Sequence, residues 1–185
     1  MIYDYPRIQF KVLERQAVLI GLDEGSELLT RLWLEVDQAK LGAEDLKVQE
    51  ATVQRRRAIF GEINEMVTYR FLSPWLALNQ ENERRYRTQQ DEAARIGLLE
   101  RVIIGNCLSF AKAFSHTVTF KLRADCSKLR PTAAQLKGIS MQGFLGTFRI
   151  NFLLPDRVGV GKSVSRGFGT VLCLDKSNHA SGVKL

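Results

Sequence analysis

Cysteine is scarce and scattered in this 185-residue chain: Cys107, Cys126 and Cys173, an odd number with no Cys-x-x-Cys pair. That excludes a disulfide framework and argues against a zinc site, leaving free thiols in a reducing cytosol as the expectation. No run of about 18 apolar residues is present, so no membrane span is expected. The opening Met-Ile-Tyr-Asp-Tyr-Pro-Arg lacks the charged front and apolar middle of a secretory signal, which points to a cytoplasmic protein. Acidic residues are in deficit, 20 against 27 lysines and arginines, for a net charge of +7. A polyanionic partner fits that excess. The basic residues cluster at Arg55-Arg56-Arg57, at Arg84-Arg85-x-Arg87 and from Lys162 to Arg166. For the second cluster a solvated helix face and a binding site both remain open.

The first third reads as strand, strand, helix, strand. Ile8 to Val12 alternates, and Ala17 to Ile20 is a short apolar run after a turn at Glu14-Arg15. Asp23 or Ser26 can cap an amphipathic helix carrying Leu28, Leu29, Leu32, Trp33 and Val36 at helical spacing, with Gly42 as its stop. Lys47 to Arg57 alternates loosely, with Val48 and Val53 on different faces. The pattern then restarts. Val67 to Leu72 predicts a strand ended by Ser73-Pro74, followed by one long helix with Ile96, Leu99, Ile103, Phe110 and Phe114 as its buried stripe. Gly105 within that helix costs about 1 kcal/mol against alanine, which predicts close packing there. A strand over Val118 to Leu122, a break at Pro131, a hairpin or long bent strand over Gln135 to Ile139 and Gly146 to Leu154, and a last strand from Thr170 to Leu174 complete the reading. From about Ile63 this order fits an RNA-recognition-like ferredoxin fold. The front resembles the same module without its opening strand and helix, which would leave a sheet edge open to pairing.

The segment Asp156 to Val171, "DRVGVGKSVSRGFGTV", carries the densest chemistry. Gly161-Lys162-Ser163 invites comparison with a nucleotide phosphate loop, which needs Gly-x-x-x-x-Gly-Lys-Ser/Thr leading into a helix. Asp156 stands where the first glycine belongs, and a β-branched strand follows instead of a helix. A nucleotide cofactor is therefore not expected. The spacing is instead Gly159-Val160-Gly161, five residues, then Gly167-Phe168-Gly169. Such glycines permit φ > 0 and bring backbone N–H groups close to an anion. Lys162 adds a point charge, Arg166 a two-pronged donor for phosphate, and Ser163 and Ser165 short donors. Val160 and Phe168 are expected to anchor the loop in the core. An ordinary glycine-rich turn with incidental charges is the alternative.

This loop, together with "YDYPRIQFKVL" (Tyr3 to Leu13), "FLSPWLALNQEN" (Phe71 to Asn82) and "LLERVIIGNCLSFAKAF" (Leu98 to Phe114), resembles the CRISPR-associated pre-crRNA endoribonucleases, the Cas family numbered six, in its b subfamily. The resemblance implies an α+β chain of two tandem ferredoxin-like domains. These would span residues 1–60, incomplete at its N-terminus, and 61–176 with the glycine-rich loop, before a flexible tail at 177–185. It implies CRISPR repeat RNA as partner and cleavage with neither metal nor cofactor. A general base activates a ribose 2′-hydroxyl to attack the adjacent phosphate, leaving a 2′,3′-cyclic phosphate, while an acid protonates the leaving 5′-oxygen. The RNA-positioning role falls on Gly159, Gly161, Lys162, Ser163, Ser165, Arg166, Gly167 and Gly169.

In that family a first strand and helix, and catalytic histidines, precede the Tyr-x-Tyr-Pro segment, where this chain has Met1. His116, just after the long helix, and His179, in the polar tail, do not match those positions. Tyr3, Tyr5 and Lys11 are the remaining catalytic candidates, although an unperturbed tyrosine is a poor base at neutral pH. Two functions follow as expectations: a repeat-RNA endoribonuclease of weak or lost activity, or a non-catalytic crRNA-binding subunit. In the second, the open edge pairs with another effector subunit or a second copy of the chain.

Overall fold

A computed structural model describes residues 5–32, 38–41 and 44–175. Tyr3, Trp33, Val36, Gly42, His179 and the expected tail lie outside the described residues.

Strands β1 (Ile8–Leu13) and β2 (Gln16–Gly21) form an antiparallel hairpin. Its turn is Glu14-Arg15, both at left-handed φ (52° and 68°), the two-residue geometry that matches strand twist. Helix α1 (Glu24–Leu32) follows Asp23, whose φ of 54° is not that of a side-chain N-cap. Strands β3 (Gln38–Leu41) and β4 (Glu44–Lys47) make a second antiparallel pair, so the helix expected to stop at Gly42 does not run that far. The alternation expected over Lys47 to Arg57 yields no strand beyond Lys47. Residues 49–58 are exposed, because valines on opposite faces give no continuous apolar side to bury.

The remainder is built on a five-stranded antiparallel sheet. Its central pair is β5 (Gly61–Trp75) and β8 (Ile139–Leu153), flanked by β9 (Val171–Cys173) beside β5 and by β6 (Ala124–Asp125) and β7 (Leu129–Leu136) beside β8. Helices α2 (Gln80–Thr88) and α3 (Glu92–Ala113) lie between β5 and β6 in sequence. The core joins α3, through Leu99, Ile103, Cys107 and Phe110, to Tyr69, Phe148, Ile150 and Phe152 of the sheet.

Several expectations are corrected. Ser73-Pro74 does not end β5, because a register shift between Phe71 and Trp75 accommodates the missing N–H. The single long helix is two, capped by the side chains of Asn79 and Asp91. Gly105 is exposed, and an added Cβ would meet nothing within 4 Å, so close packing does not explain it. Residues 118–122 are irregular: Asn151 ties them down by accepting from the Arg123 amide (2.6 Å) and donating to the Lys121 carbonyl (3.3 Å). Pro131 lies inside β7, an edge strand paired only with β8, where a residue lacking a donor is tolerated. The β7–β8 hairpin turns at Lys137-Gly138, both at positive φ.

Among the described residues no helix is long and apolar enough to cross a membrane.

Candidate nucleic-acid interface

The first strand turns the usual pattern inside out. Phe10, Val12 and the cross-strand Leu19 share one face, 37–55% exposed, whereas Gln9 (0%), Lys11 (1%) and Leu13 (9%) are buried on the other. The buried polar pair meets the glycine loop. Gln9 Oε1 accepts from the Gly159 amide at 2.9 Å, and its Nε2 donates to the Tyr5 hydroxyl at 2.7 Å. Tyr5 in turn donates to the Gly159 carbonyl at 2.6 Å. Lys11 Nζ donates to Thr170 Oγ1 at 3.0 Å. One strand therefore clamps both ends of the loop from beneath.

The other wall comes from the end of β5. Ser73 Oγ donates to the Gly167 carbonyl and accepts from the Thr170 amide at 2.9 Å. The Gly169 amide reaches the Pro74 carbonyl at 2.9 Å, and the Lys162 amide the Leu76 carbonyl at 3.3 Å. Lys162 Nζ donates to the Leu78 carbonyl at 2.7 Å, immediately before α2. Between the glycine pairs the chain makes a single 3₁₀ turn (Val164–Arg166). This turn buries Val164 (1% exposed) against Gly159, and Val160 is as deeply buried (1%).

The glycines are required by packing. A Cβ at Gly161 would lie 2.6 Å from the Trp75 indole nitrogen, one at Gly159 2.6 Å from Val164 Cβ, and one at Gly169 1.9 Å from the Val160 carbonyl oxygen. Gly161 and Gly169 also hold φ of +91° and +63°. The amides of Gly159, Val160, Lys162, Gly167 and Gly169 all bond within the protein. Of the four loop glycines only Gly161 has an amide without a partner among the described residues, so the loop's outward chemistry is carried by side chains more than by its glycine amides. Among the described residues, the Ser163 and Ser165 hydroxyls and the Arg166 guanidinium have no hydrogen-bond partner. Phe168 is half-buried, and Val160 and Val164 are the true anchors.

The catalytic candidates are placed less favourably. Burial pushes the Tyr5 phenol well above its ordinary range, and its hydroxyl is engaged on both sides. Burial lowers the Lys11 ammonium from 10.5 to about 8, but its side chain lies under the loop. Burial also lowers Lys162, an effect opposed by nearby Glu83. His116 stands apart, its Nε2 2.6 Å from Glu62 Oε2 and its ring edge-on to Phe60 at 5.5 Å. Glu62 also accepts from the amide and hydroxyl of Thr119 at 2.8 and 2.9 Å. Sequence reasoning misses Gln9, Ser73 and Thr170. The alternation that puts two polar side chains on the face of Leu13 is the available signal for Gln9.

Comparison with known proteins identifies the lineage. The Cas6b N-terminal domain model matches residues 1–59 and the Cas6b C-terminal domain model residues 61–174; the chain belongs to the Cas6b family. It is 35% identical to a protein solved as "Crystal structure of Cas6b", with a TM-score of 0.87 over 94% of this chain and 79% of that one. It is equally identical to one solved as "Crystal structure of CRISPR RNA processing endoribonuclease Cas6b", with a TM-score of 0.77 over 93% and 83%. An uncharacterised protein of Methanocaldococcus jannaschii is 34% identical over 143 residues, 77% of this chain and 97% of that protein. A type IV Cas6 crRNA endonuclease, Csf5, shares the fold at 14% identity and a TM-score of 0.59. The fold is that of the Cas6 proteins, a mixed α/β chain of tandem ferredoxin-like type.

Proposed function

We propose that this chain binds CRISPR repeat RNA and takes part in its processing, with the loop from Gly159 to Gly169 as the site for the RNA backbone. The observation that carries the reading is the loop's two-sidedness. Beneath, β1 and the end of β5 fix it through Gln9, Lys11 and Ser73; above, Ser163, Ser165 and Arg166 are unpartnered among the described residues. A rigid seat under free donors holds them in place before a phosphate arrives, which lowers the ordering cost of binding. A relative solved as a CRISPR RNA processing endoribonuclease shares a third of the sequence, which supports the same substrate class.

The chemistry proposed is metal-independent. A base removes the 2′-hydroxyl proton, that oxygen bonds to phosphorus, the bond from phosphorus to the 5′-oxygen breaks, and an acid returns a proton to the leaving oxygen. Arg166 offsets the charge that gathers on the phosphate oxygens. Tyr5 and Lys11 act as positioning residues because both are engaged with the loop, so cleavage by this chain is slow. The second reading is a non-catalytic crRNA-binding subunit, favoured by that same engagement. Its exposed face of Phe10, Val12 and Leu19 would then meet an effector subunit or a second copy.

The test is binding of labelled cognate repeat RNA in EDTA across a salt series. Lys162→Ala/Arg166→Ala should weaken binding and reduce the slope of log K against log salt by about 0.7 for each phosphate no longer neutralised. Unchanged affinity in a folded double variant overturns the assignment of the loop.

A further inference from the structure

Of the arginine cluster at the start of the helical region, Arg85 lines a groove, whereas Arg84 and Arg87 face another side of the helix. Helices α2 and α3 are joined across Gln89 to Asp91. The cleft between them, about 470 Å³, is lined by Arg85, Thr88 and Gln89 from one side and by Arg95, Gly97 and Arg101 from the other. Three guanidiniums from three separate turns thus face one space. Among the described residues, none of the side chains lining it is acidic. Buried Leu98 gives it an apolar floor, and Gly97 keeps that floor low.

The three arginines differ in how they are held. Arg95 is fixed, its Nε donating to the Gln89 carbonyl at 2.6 Å and its guanidinium 5.4 Å from the Tyr86 ring centre. Arg85 pairs with Glu81 one turn earlier, both side chains about two-thirds exposed, an arrangement of little net worth that a phosphate can displace. Arg101 has no hydrogen bond or ion pair among the described residues. One arginine is therefore pre-set, one exchangeable and one free.

Helix α2 runs from the loop's contact with the end of β5 to the groove. Lys162 is bound through both its amide and its ammonium to the carbonyls of Leu76 and Leu78, just ahead of Asn79, the cap of α2. From there the nine residues of α2 carry the surface about 13 Å to the groove. That helix carries Arg84 and Arg87 beside Glu81 and Glu83, and Glu83 pairs with Arg87 at 2.6 Å.

We infer that the α2–α3 groove is a second RNA-backbone site, receiving the phosphates of the strand that leaves the glycine loop past Lys162. Two features favour RNA over an acidic protein segment: planar forked donors suited to phosphate, and the placement of the groove one short helix away from the loop. The inference rests on the proposed role of the loop in RNA binding.

Two variants of the full chain test it with labelled cognate repeat RNA. Arg85→Gln/Arg101→Gln removes the exchangeable and the free donor while sparing Arg95. Gly97→Glu keeps every arginine and places a carboxylate in the groove; the nearest atom to the new Cβ would be an Arg101 nitrogen at 3.7 Å, ordinary van der Waals packing. Each should melt like wild type and bind at least about tenfold more weakly, and the double variant should lower the salt slope by about 1.4 for two phosphates. If both bind like wild type while Lys162→Ala/Arg166→Ala does not, the groove assignment is overturned and the loop assignment stands. Should wild type bind no repeat RNA, both assignments fall. If wild type binds polyglutamate better than repeat RNA, and the variants lose only that binding, the groove is a protein-docking site and the inference is overturned. A double variant that fails to fold leaves the decision to Gly97→Glu.

Discussion

Gln9 and Gly159, 150 residues apart in sequence, are joined by a buried hydrogen bond of 2.9 Å in which the glycine amide donates. The other end of the same side chain donates to Tyr5, whose hydroxyl returns to the Gly159 carbonyl. Both backbone groups of one glycine are thus held by residues of the N-terminal segment. Gln9→Ala strands the Gly159 donor in the interior, at about 1–3 kcal/mol. We expect a lower denaturation midpoint, faster hydrogen exchange at Gly159, and weaker RNA binding through a loosened loop. Wild-type exchange at that amide in the variant would show that Gln9 does not hold the loop.

Lys11 makes stability depend on pH in the alkaline range. Its pKa is about 8 in the folded chain and near 10.5 when solvated, so between those values the unfolded chain binds the extra proton. Folding is therefore penalised in full below pH 8, and the penalty is relieved as pH rises to 10.5. Its size is on the order of 3 kcal/mol, against about 1 kcal/mol for the bond to Thr170. Lys11→Met should accordingly be more stable than wild type at pH 7 by about 1–2 kcal/mol, and the gap should close by pH 10. Urea titrations of both proteins at the two pH values measure it. A gap that stays constant, or a destabilised variant at pH 7, would contradict the desolvated amine.

Glu62 acts in the opposite range. Burial alone would raise its pKa, but hydrogen bonds from His116 and from the amide and hydroxyl of Thr119 outweigh burial and hold it at about 2. A carboxylate depressed from 4.5 contributes stability that is complete above that value and is lost as pH falls toward 2. Glu62→Gln should remove this acid-sensitive part, flattening the stability curve between pH 4.5 and 2 while lowering stability at pH 7. Acid titration followed by circular dichroism distinguishes the two proteins.

How much of the fold and site is legible in the sequence depends on which interactions are local. The first hairpin with its turn at Glu14-Arg15, the buried stripe of α3 and the final strand follow from periodicity and turn chemistry within a few residues, whereas the β7–β8 turn at Lys137-Gly138 falls inside the stretch from Gln135 to Ile139 that reads as strand. The irregular run at 118–122 resembles a strand because its side chains alternate; only Asn151 and Glu62, distant in sequence, show where its polar groups go. Gly105 misleads in the other direction, since its cost to the helix is visible in sequence while its open surroundings are not. Glycine spacing reveals the loop, yet the reason for each glycine is a neighbour brought by the fold, such as Trp75 against Gly161. Alternation with Val160 predicts Phe168 in the core. The 3₁₀ turn breaks that alternation and gives the place to Val164.

The last prediction concerns cleavage itself. A positioned general acid or base contributes about 10²–10⁴-fold, and neither Tyr5 nor Lys11 is free to act as one while it holds the loop. Positioning and charge at Arg166, Ser163 and Ser165 remain, and these alone can give measurable rates. We therefore expect the 185-residue chain to bind cognate repeat RNA in EDTA and to cleave it slowly or not detectably under single-turnover conditions. Any slow product should end in a 2′,3′-cyclic phosphate and should fall further with Arg166→Ala. Rapid cleavage in EDTA would require another base. His116 would then be replaced first: it is one-third exposed, with its Nε2 already oriented by Glu62, as a carboxylate orients an imidazole for proton transfer. His116→Ala with Glu62→Gln as control separates the cases. Loss in the first with only a partial fall in the second marks His116 as the base, whereas equal melting defects and unchanged rates in both confine the pair to holding residue 119 against β5.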